Sequence, residues 1–526
     1  MDAQSPAINL ANIKQLLPYF GFILIVSLSQ YSLSLENRFV WDAVQTFTKD
    51  PTIRDLKNLP LSFQEQANKR LTNEGNKILQ LKYYRPLTKS LHILEYPLFG
   101  TEPLGYKAVN VILNAAVVLL LFMVVLSATK HPAVALAAAL LYAVNPTRAE
   151  AVYWTYSDSY ILMSFFALGS LALYQRRHII LALIAFSLSL FCHEMAILQP
   201  VVILLYTFLI DQERSFKAYV PSFLFFVLAG AFLVLRTVIV GPVPLGGVEA
   251  GTFLNTVVVV IQRYTKMFFL PDAPVTIYAM ELFDSLTPEV IISYVVLGLL
   301  VAFGVWLWLR RRTYLFWYLW FFVWFSVSLN VGAFGEYLMA EKILYLACAG
   351  FCVLLALLIV EFDNRKAFVY GVLGCLAVLH SATTFSRAAH WQDTRTYLQK
   401  GLEFAPDSFH THYALARDYV KTREYDKALA QFMRTIALNP RHSLSYNGMG
   451  NIYYLQNDMD RAISAWEKSI TINMGDPIPY YNIGLALEKK DNPVRALFYF
   501  EKYLALSPRP DPRILNDINK LRAMIK

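Results

Sequence analysis

Charged side chains at the ends of apolar segments are the residues of this sequence best suited to chemistry. An ionisable group at or in a membrane is costly, so it usually has a function. A carboxylate there can accept a proton from a hydroxyl, and a cation can stabilise a departing phosphate. The set therefore suits a reaction between a lipid-phosphate donor and a polar acceptor. Its members are Asp42, Arg85, Glu150, Asp158, His193, Glu194, Glu341 and Lys342.

The first three of these residues also have structural explanations. Asp42 could cap a short helix beside the membrane, and Arg85, which precedes a proline, could be an anchor whose cation extends to the lipid surface. Glu150 could pair with Arg148 or Arg85 to orient a loop. Each structural role would leave the residue without a part in catalysis.

The other members have structural alternatives of the same kind. Asp158 could be an exposed loop carboxylate, and Glu341 could form an interfacial ion pair with Lys342. His193 and Glu194 lack the HExxH spacing of a zinc site. A buried, hydrogen-bonded pair is therefore the favoured explanation for these two residues, and no metal site is predicted.

The apolar segments that must position these residues occupy most of the chain up to residue 390. A membrane-spanning helix needs about 20 apolar residues. The sequence predicts an all-α, polytopic membrane body of eleven spans, with 255–270 as a re-entrant or interfacial helix because it contains Arg263 and Lys266. The predicted spans are 17–35, 108–127, 131–146, 159–175, 178–193, 195–210, 218–240, 290–309, 314–331, 339–361 and 367–386.

Basic residues next to the spans indicate their orientation. Cytoplasmic loops are enriched in Lys and Arg. We therefore expect a cytoplasmic N-terminus, with the loop 36–107 and the C-terminal region on the outer face. Residues 1–16 carry too little charge for a targeting peptide, which predicts a retained anchor. The basic residues expected in the cytoplasm are Lys130, Arg176, Arg177, Arg214, Lys217, Arg310 to Arg312, Arg365 and Lys366.

Composition agrees with a membrane protein. Hydrophobic residues make up 56% of the chain and charged residues 16%. The net charge of +9 does not indicate nucleic-acid binding, because the basic residues lie mainly at the ends of apolar runs. The four cysteines lie in apolar stretches without CxxC spacing and are expected to be buried thiols. The chain has no Asn-x-Ser/Thr acceptor without proline, which favours a bacterial source.

The C-terminal region has a helical repeat of 34 residues. Ala428, Ala462 and Ala496 recur at that spacing, which is the period of the tetratricopeptide repeat (TPR). The sequence predicts a connecting helix at 391–406, three repeats at 407–510 and a capping helix at 511–526. Such solenoids have a concave groove, so a protein or peptide is the expected partner. A rigid spacer or a dimerisation surface is the alternative.

The outer loop also contains apolar residues at spacings that predict short amphipathic helices on the membrane surface. Such helices would cover the charged residues and exclude water from them. The apolar residues concerned are Leu56, Leu59, Leu61, Phe63, Leu71, Ile78, Leu79 and Leu81.

The order of these motifs resembles the transmembrane and TPR-containing O-mannosyltransferases, which belong to the GT-C fold of polyprenyl-phosphate-dependent glycosyltransferases. The resemblance covers nearly the whole chain. The family's FVWDD element corresponds to Phe39–Ala43, and its RPL element to Arg85–Leu87. Further matches are Pro103–Asn114, the segment from Asn145 to Trp154 that contains Glu150, the pair His193 and Glu194 before Pro200, Ala340–Leu346, and Trp391 with Asp393.

Four positions differ from the family pattern. Ala43 replaces the second aspartate, Asn145 replaces a histidine, and Ser157 and Lys342 stand where the family has arginine. Hard divalent cations need several oxygen ligands, so the loss of a carboxylate makes a divalent metal doubtful. The changes imply either a divergent substrate or an inactive descendant.

The resemblance implies an integral membrane glycosyltransferase of a bacterial inner membrane, with periplasmic repeats. It would transfer a sugar from a polyprenyl-phosphate carrier to Ser or Thr hydroxyls of a protein held by the repeats, with no required cofactor. Asp42 would be the general base, and Arg85, Lys342 and Arg236 would hold the donor phosphate. The positioning residues would be Glu150, Asp158, His193, Glu194 and Glu341. A membrane-anchored TPR scaffold without catalytic activity is the alternative.

Overall fold

The computed structural model describes residues 13–64, 83–213, 215–241, 248–269, 282–329 and 339–507, together with Ile518, Leu521 and Arg522. These described residues form α-helices and short 3-10 turns, and no β-strand occurs among them. The all-α prediction is therefore confirmed for this part of the chain. The chain divides into two compact units, which we name the apolar unit, ending at Tyr397, and the repeat unit, beginning at Leu398.

Among the described residues, sixteen α-helices begin in the apolar unit. They are α1 (Ile13–Gln30), α2 (Asp42–Lys49), α3 (Pro86–Phe99), α4 (Pro103–Thr129), α5 (Pro132–Val144), α6 (Ala149–Tyr153), α7 (Asp158–Gln175), α8 (Ile179–Cys192), α9 (Gln199–Leu209), α10 (Phe216–Val240), α11 (Ala250–Phe269), α12 (Pro288–Arg310), α13 (Arg312–Phe325), α14 (Leu344–Glu361), α15 (Lys366–Ala388) and α16 (Thr394–Phe404).

Small residues allow the central helices of the apolar unit to approach closely. Helix α4 packs against α1, α5 and α7, and α14 packs against α5 and α13. Ala135, Ala138 and Ala139 of α5 are fully buried. A Cβ atom at Gly350 of α14 would lie 2.3 Å from the carbonyl oxygen of Trp317, so only glycine permits this approach to α13.

Within the described ranges, five helical segments are long and apolar enough to cross a membrane: Pro103–Thr129, Phe216–Val240, Pro288–Arg310, Glu341–Glu361 and Lys366–Trp391. Three shorter apolar helices are Pro132–Val144, Ile179–Cys192 and Glu194–Leu209. The chain thus has the composition of a membrane protein, whereas eleven spans and their orientation remain predictions. Residues 250–269 form a helix, and its re-entrant or interfacial position stays a prediction.

Between α2 and α3, the described residues of the outer loop form 3-10 turns. These turns are Pro51–Ile53, Leu56–Asn58 and Pro60–Phe63, and they pack on α3. The hydroxyl oxygens of Ser62 and Ser90 lie 2.8 Å apart and join the last turn to α3. Residues 65–82, which include Leu71, Ile78, Leu79 and Leu81, lie outside the described residues.

The repeat unit consists of antiparallel helix pairs. Its helices are α17 (Phe409–Lys421), α18 (Tyr425–Leu438), α19 (Ser443–Leu455), α20 (Met459–Ile472), α21 (Pro477–Lys489) and α22 (Pro493–Leu506).

The periodic alanines of the repeat unit lie in its core. Ala428, Ala462 and Ala496 are fully buried, as the 34-residue spacing predicts. Ile518 and Leu521 pack into the core of the third repeat, and most of the predicted capping helix 511–526 lies outside the described residues. A helix, α16, forms within the predicted connecting segment, and the boundary between the two units falls inside it.

Candidate functional site

Asp42 is the first residue of α2, and the residue before it has an unusual backbone conformation. Trp41 has φ 54° and ψ −119°, which a residue with a side chain rarely adopts. Such conformations require support from the surroundings and are frequent at functional sites. A carboxylate in the first turn of a helix also benefits from the positive end of the helix dipole. Asp42 is therefore held, half-buried, where a negative charge is favoured.

The segment before Asp42 is supported by the end of α15 and by the first residues of α16. The side-chain amide of Asn37 donates to the carbonyl oxygen of Ala388 over 2.9 Å. The backbone N–H of Trp41 donates to Oγ1 of Thr394 over 3.0 Å. The rings of Trp41 and Tyr397 also meet edge to face, with centroids 6.4 Å apart. These contacts supply the support that the conformation of Trp41 needs.

Glu150 and Lys342 form an ion pair in which the carboxylate is buried and the lysine is partly exposed. Asn145 accepts a hydrogen bond from the backbone N–H of Thr147, which caps the turn before α6 and places Glu150 in the first turn of that helix. Glu150 is only 2% exposed, and it accepts a hydrogen bond of 3.0 Å from the backbone N–H of Lys342. The Lys342 Nζ atom lies 3.5 Å from Oε1 of Glu150 and 4.0 Å from the centre of the Trp154 ring.

The environment of Glu150 has an electrostatic consequence. Burial raises the pKa of the Glu150 carboxyl above its ordinary value, and the ammonium of Lys342 limits the rise. The alternative in which Glu150 pairs with Arg148 or Arg85 is wrong, because Lys342 occupies its carboxylate and both arginines bind elsewhere.

Arg85 and Glu194 form a second ion pair. Nε of Arg85 lies 2.8 Å from Oε2 of Glu194, and the other carboxylate oxygen accepts a hydrogen bond of 3.1 Å from the backbone N–H of Tyr84. The guanidinium also lies over the ring of Tyr83, 4.3 Å from its centre. Arg85 therefore has partners in the protein and is not a simple lipid-facing anchor.

His193 lies beside this pair without a hydrogen bond to Glu194. The distance from its Nδ1 to Oε2 of Glu194 is 3.8 Å, which is too long for one. Nδ1 instead accepts from the backbone N–H of Met195 over 3.1 Å, and the ring lies 4.2 Å from that of Tyr160. The predicted hydrogen-bonded His193–Glu194 pair is therefore wrong, because Glu194 is engaged by Arg85 and Tyr84.

The two ion pairs and Asp42 belong to one electrostatic group. The charges of Glu150, Asp42 and Arg85 all act on the ammonium of Lys342. The charges of Arg85, Glu150 and Glu194 act on the hydroxyl of Tyr160. We name Asp42, Arg85, Glu150, Glu194 and Lys342 the charge cluster. Three carboxylates and two cations from distant parts of the sequence are thus near enough in the apolar unit for their charges to interact.

Glu341 and Arg236 have other partners. Glu341 accepts a 2.8 Å hydrogen bond from Arg387, and both side chains are 2% exposed. Arg387 also donates to the carbonyl oxygen of Pro146 over 2.9 Å. The predicted alternative of a Glu341–Lys342 pair is therefore wrong. Arg236 is buried on α10 and donates to the carbonyl oxygen of Gly241 just beyond the end of that helix.

Asp158 is buried and pairs with a histidine that the sequence analysis did not select. It is 2% exposed, so the alternative of an exposed loop carboxylate is wrong. Its Oδ2 atom lies 2.6 Å from Nε2 of His92, and the carboxyl of Glu95 lies close to both residues. The i, i+3 spacing of His92 and Glu95 in an apolar helix was the signal that could have identified this group.

The His92 group has shifted proton equilibria. Burial acts to lower the pKa of His92, but the adjacent Asp158 carboxylate outweighs burial, so the pKa is raised. Burial raises the pKa of the Glu95 carboxyl to about 8. His92 and Glu95 therefore retain protons at a pH where isolated side chains of the same kind would release them.

Arg148 and Cys375 lie in environments that differ from those predicted, since Arg148 does not pair with Glu150 and Cys375 is not buried. Arg148 is fully buried, with its guanidinium 3.6 Å from the centre of the Tyr142 ring and hydrogen-bonded to Asn114. It supports the junction of three helices and does not take part in the charge cluster. Cys375 is exposed on α15, whereas the other three cysteines are buried as expected.

Comparison with known proteins identifies the repeats directly. Residues 413–477 and 479–510 match two family models that are both described as "Tetratricopeptide repeat". The crystal structure of MamA is 25% identical, covers 29% of this chain and 84% of its own chain, and has a TM-score of 0.20. The crystal structure of the APC/C hetero-tetramer Cut9-Hcn1 is 12% identical, with 85% of this chain and 92% of that chain covered and a TM-score of 0.26.

One curated relative matches most of the chain. It is the "Protein O-mannosyl-transferase F38B6.6" of Caenorhabditis elegans, which is 25% identical over 456 residues. The match covers 80% of this chain and 63% of the relative. The chain is thus similar to a protein named as a glycosyltransferase, and it spans less than two thirds of that protein's length.

Proposed function

We propose that this chain is a membrane glycosyltransferase of the GT-C type, which transfers a sugar from a polyprenyl-phosphate carrier to a Ser or Thr hydroxyl of a protein. The observation that carries the proposal is the charge cluster. It combines a carboxylate on a strained segment, Asp42, with two cations, Arg85 and Lys342. The similarity to a relative named as an O-mannosyl-transferase agrees with this reaction class and suggests mannose as the sugar.

Asp42 is the proposed general base. The acceptor oxygen attacks the anomeric carbon of the donor sugar while its proton passes to the carboxylate of Asp42. The bond between that carbon and the phosphate oxygen breaks, and the polyprenyl phosphate leaves with the bonding electrons. A positioned general base typically contributes about 10²–10⁴-fold to a rate.

Arg85 and Lys342 are the proposed phosphate ligands. Each already pairs with a carboxylate, Arg85 with Glu194 and Lys342 with Glu150. These carboxylates hold the cations in place before the donor binds, so that the positive charges are ready for the negative charge that develops on the leaving phosphate. Glu150 and Glu194 are therefore positioning residues. Arg236 stays a proposed ligand of the donor phosphate. Glu341 precedes Lys342 in the chain, and its ion pair with Arg387 supports the segment that carries Lys342.

The Asp42→Asn variant tests the proposal. Transfer of labelled sugar from polyprenyl-phosphate mannose to a protein acceptor should fall at least about 100-fold, because the amide cannot accept the proton. The matched control is Asp55→Asn, which removes an exposed carboxylate of the same loop. Equal transfer by both variants, at equal expression and equal donor binding, would exclude Asp42 as the base.

Deletion of residues 407–526 tests the proposed role of the repeats. The repeats are expected to hold the acceptor protein and raise its local concentration near the membrane. Donor binding should be retained, while transfer to the natural acceptor protein should fall sharply. A short soluble peptide acceptor provides the control, because its modification does not need capture by the repeats. Unchanged modification of the natural acceptor would show that the repeats have another role.

A scaffold without catalytic activity is the second candidate function. The observation that favours it is the environment of Ala43, which occupies the position of the family's second aspartate. Ala43 is fully buried against Phe39, Phe47 and Tyr106, so this position is built for packing. A scaffold would capture a partner protein through its repeats, but the purified chain would neither bind nor consume polyprenyl-phosphate sugars.

A further inference from the structure

We propose that His92, Glu95 and Asp158 form a binding site for one divalent transition-metal ion, most suitably zinc. One nitrogen or oxygen donor atom from each residue lies within 4.8 Å of the others, and all three residues are buried. The site lies outside the charge cluster, and the proposal does not depend on the function proposed above.

Local structure brings the three ligands together. His92 and Glu95 are three residues apart on α3, so they lie on the same side of that helix. Asp158 begins α7, and its Oδ2 atom lies 2.6 Å from Nε2 of His92. An ion at this place would tie α3 to the start of α7.

A second observation points to a cation. Among the described residues, Oδ1 of Asp158 is buried and has no hydrogen-bond partner. A buried polar atom without a partner is unfavourable, and more so when the group is charged. A bound metal ion would satisfy this oxygen.

The donor set selects the kind of ion. Zinc binds His nitrogen and carboxylate oxygen at about 2.0–2.2 Å, commonly with three protein ligands and one water. Calcium takes six to eight oxygen ligands, and magnesium keeps several waters in an octahedron of oxygens, so an imidazole argues against both. Tetrahedral ligands of zinc lie about 3.3 Å apart at these bond lengths, so the 2.6 Å between Oδ2 of Asp158 and Nε2 of His92 would lengthen when an ion binds.

The surroundings of the site are apolar, with one cation nearby. The ring of Phe47 lies 4.8 Å from that of His92, and Tyr106 packs against Phe47 on the same side. The charge of Lys89 acts on His92, and its ammonium lies 3.9 Å from a carboxylate oxygen of Asp50. A divalent ion would supply positive charge beside the buried carboxylates of Glu95 and Asp158 when both are ionised and His92 is neutral, as metal ligands must be.

The proposed ion would have a structural role. Arg85 immediately precedes α3, and Tyr160, whose hydroxyl is close to the charge cluster, lies in the first turn of α7. Linking α3 to α7 would therefore limit movement between elements that carry residues of the cluster. His92, Glu95 and Asp158 are not proposed to touch the donor or the acceptor.

Metal analysis of the full-length protein in detergent tests the proposal. After chelator treatment and removal of the chelator, the protein is incubated with ZnCl₂, desalted and analysed for bound metal by mass spectrometry. We expect about one zinc ion per chain for the unchanged protein, and zinc binding at least about 100-fold weaker for His92→Gln and Asp158→Asn. The matched control is His178→Gln, which removes an exposed histidine and should leave binding unchanged.

Cobalt provides a second measurement that needs no variant. Co²⁺ bound in place of zinc should give the visible absorption of a tetrahedral site, and zinc, but not Mg²⁺ or Ca²⁺, should remove it. If the unchanged protein binds no stoichiometric zinc, or if His92→Gln and His178→Gln bind it equally well, the proposal is overturned. An absence of tetrahedral cobalt absorption would overturn it as well.

Discussion

The apolar unit and the repeat unit place their charged residues in opposite environments. In the apolar unit, Arg387 and Glu341 form a 2.8 Å pair in which both side chains are 2% exposed. In the repeat unit, Arg434 and Asp407 form a 3.0 Å pair with side chains 50% and 76% exposed. The two pairs have similar lengths, but only the first has been removed from water.

This difference determines what a charged residue reveals in each unit. An exposed ion pair contributes about 0–1 kcal/mol, because water solvates both partners well without the pair. Removal of one partner from a buried ion pair lowers the stability of the fold by about 3–5 kcal/mol, because the other charge stays buried without compensation. Both partners of a buried pair are therefore needed. Charges in the apolar unit are therefore informative about structure and function. In the repeat unit the informative residues are the small and aromatic ones that set the helix packing.

The largest expected effect is the loss of Arg387. Arg387→Ala removes the cation that lies 2.8 Å from the buried carboxylate of Glu341, and the free energy of unfolding in mixed detergent micelles should fall by about 3–5 kcal/mol. The control Arg434→Ala in the repeat unit should change it by less than about 1 kcal/mol.

A double variant sharpens this test. Arg387→Met with Glu341→Gln removes both charges, so it should recover part of the stability that Arg387→Ala loses. Equal effects of Arg387→Ala and Arg434→Ala would show that the burial of the first pair has no energetic consequence. The comparison between the two units would then fail.

The same contrast explains what the sequence could predict. The repeats follow from local spacing, because Ala428, Ala462 and Ala496 face partners within their own helix pair. The pairs in the apolar unit join residues far apart in sequence: Glu150 with Lys342, and Asp158 with His92. Each residue could be selected for its charge in an apolar setting, but its partner depends on how the helices pack.

Errors in the sequence analysis have the same origin. Sequence neighbours were considered as partners for Glu341 and His193, and the structure assigns different partners to both. In a membrane segment the next residue points to another side of the helix, so adjacency is poor evidence of contact. His92 and Glu95 were not predicted as a group, because Asp158, which brings them together, is 66 residues from His92 in sequence.

The second prediction concerns packing in the repeat unit. A Cβ atom at Gly450 would lie 2.5 Å from Nε1 of Trp466, whose N–H donates to the carbonyl oxygen of Asn447. Overpacking of this kind costs about 1–3 kcal/mol, and the higher helix propensity of alanine offsets up to about 1 kcal/mol. Gly450→Ala should therefore destabilise the second repeat by about 1–2 kcal/mol, measured by hydrogen exchange in α19 and α20.

The control for this variant is Gly475→Ala. A Cβ atom there would lie 3.6 Å from its nearest neighbour, an ordinary contact, so the change should be within about 0.5 kcal/mol. Unchanged hydrogen exchange in Gly450→Ala would mean that the Trp466 ring can move to admit a methyl group. Small residues would then not set the helix packing of the repeat unit.

The smallest expected effect is a pH dependence in the repeat unit. Burial lowers the pKa of His442 to about 4, and the neighbouring His410 contributes to the shift. The His442 ring lies 4.7 Å from that of Tyr413, and its Nδ1 is 2.9 Å from Oγ of Ser445. Because this pKa is lower in the folded than in the unfolded state, the folded state binds fewer protons between about pH 6.5 and 4.

Stability contributed by neutral His442 should thus be present above pH 6.5 and be lost as the pH falls towards 4. We expect a loss of about 1 kcal/mol, after allowance for partial exposure of the ring, measured by hydrogen exchange in α17 and α19 of the full-length protein. His442→Gln cannot take up the proton, so its exchange should depend less on pH over this range. An equally steep dependence in that variant would assign the effect to another group. Protonation of His442 would then not affect the stability of the repeat unit, in contrast to the effect expected from the buried charges of the apolar unit.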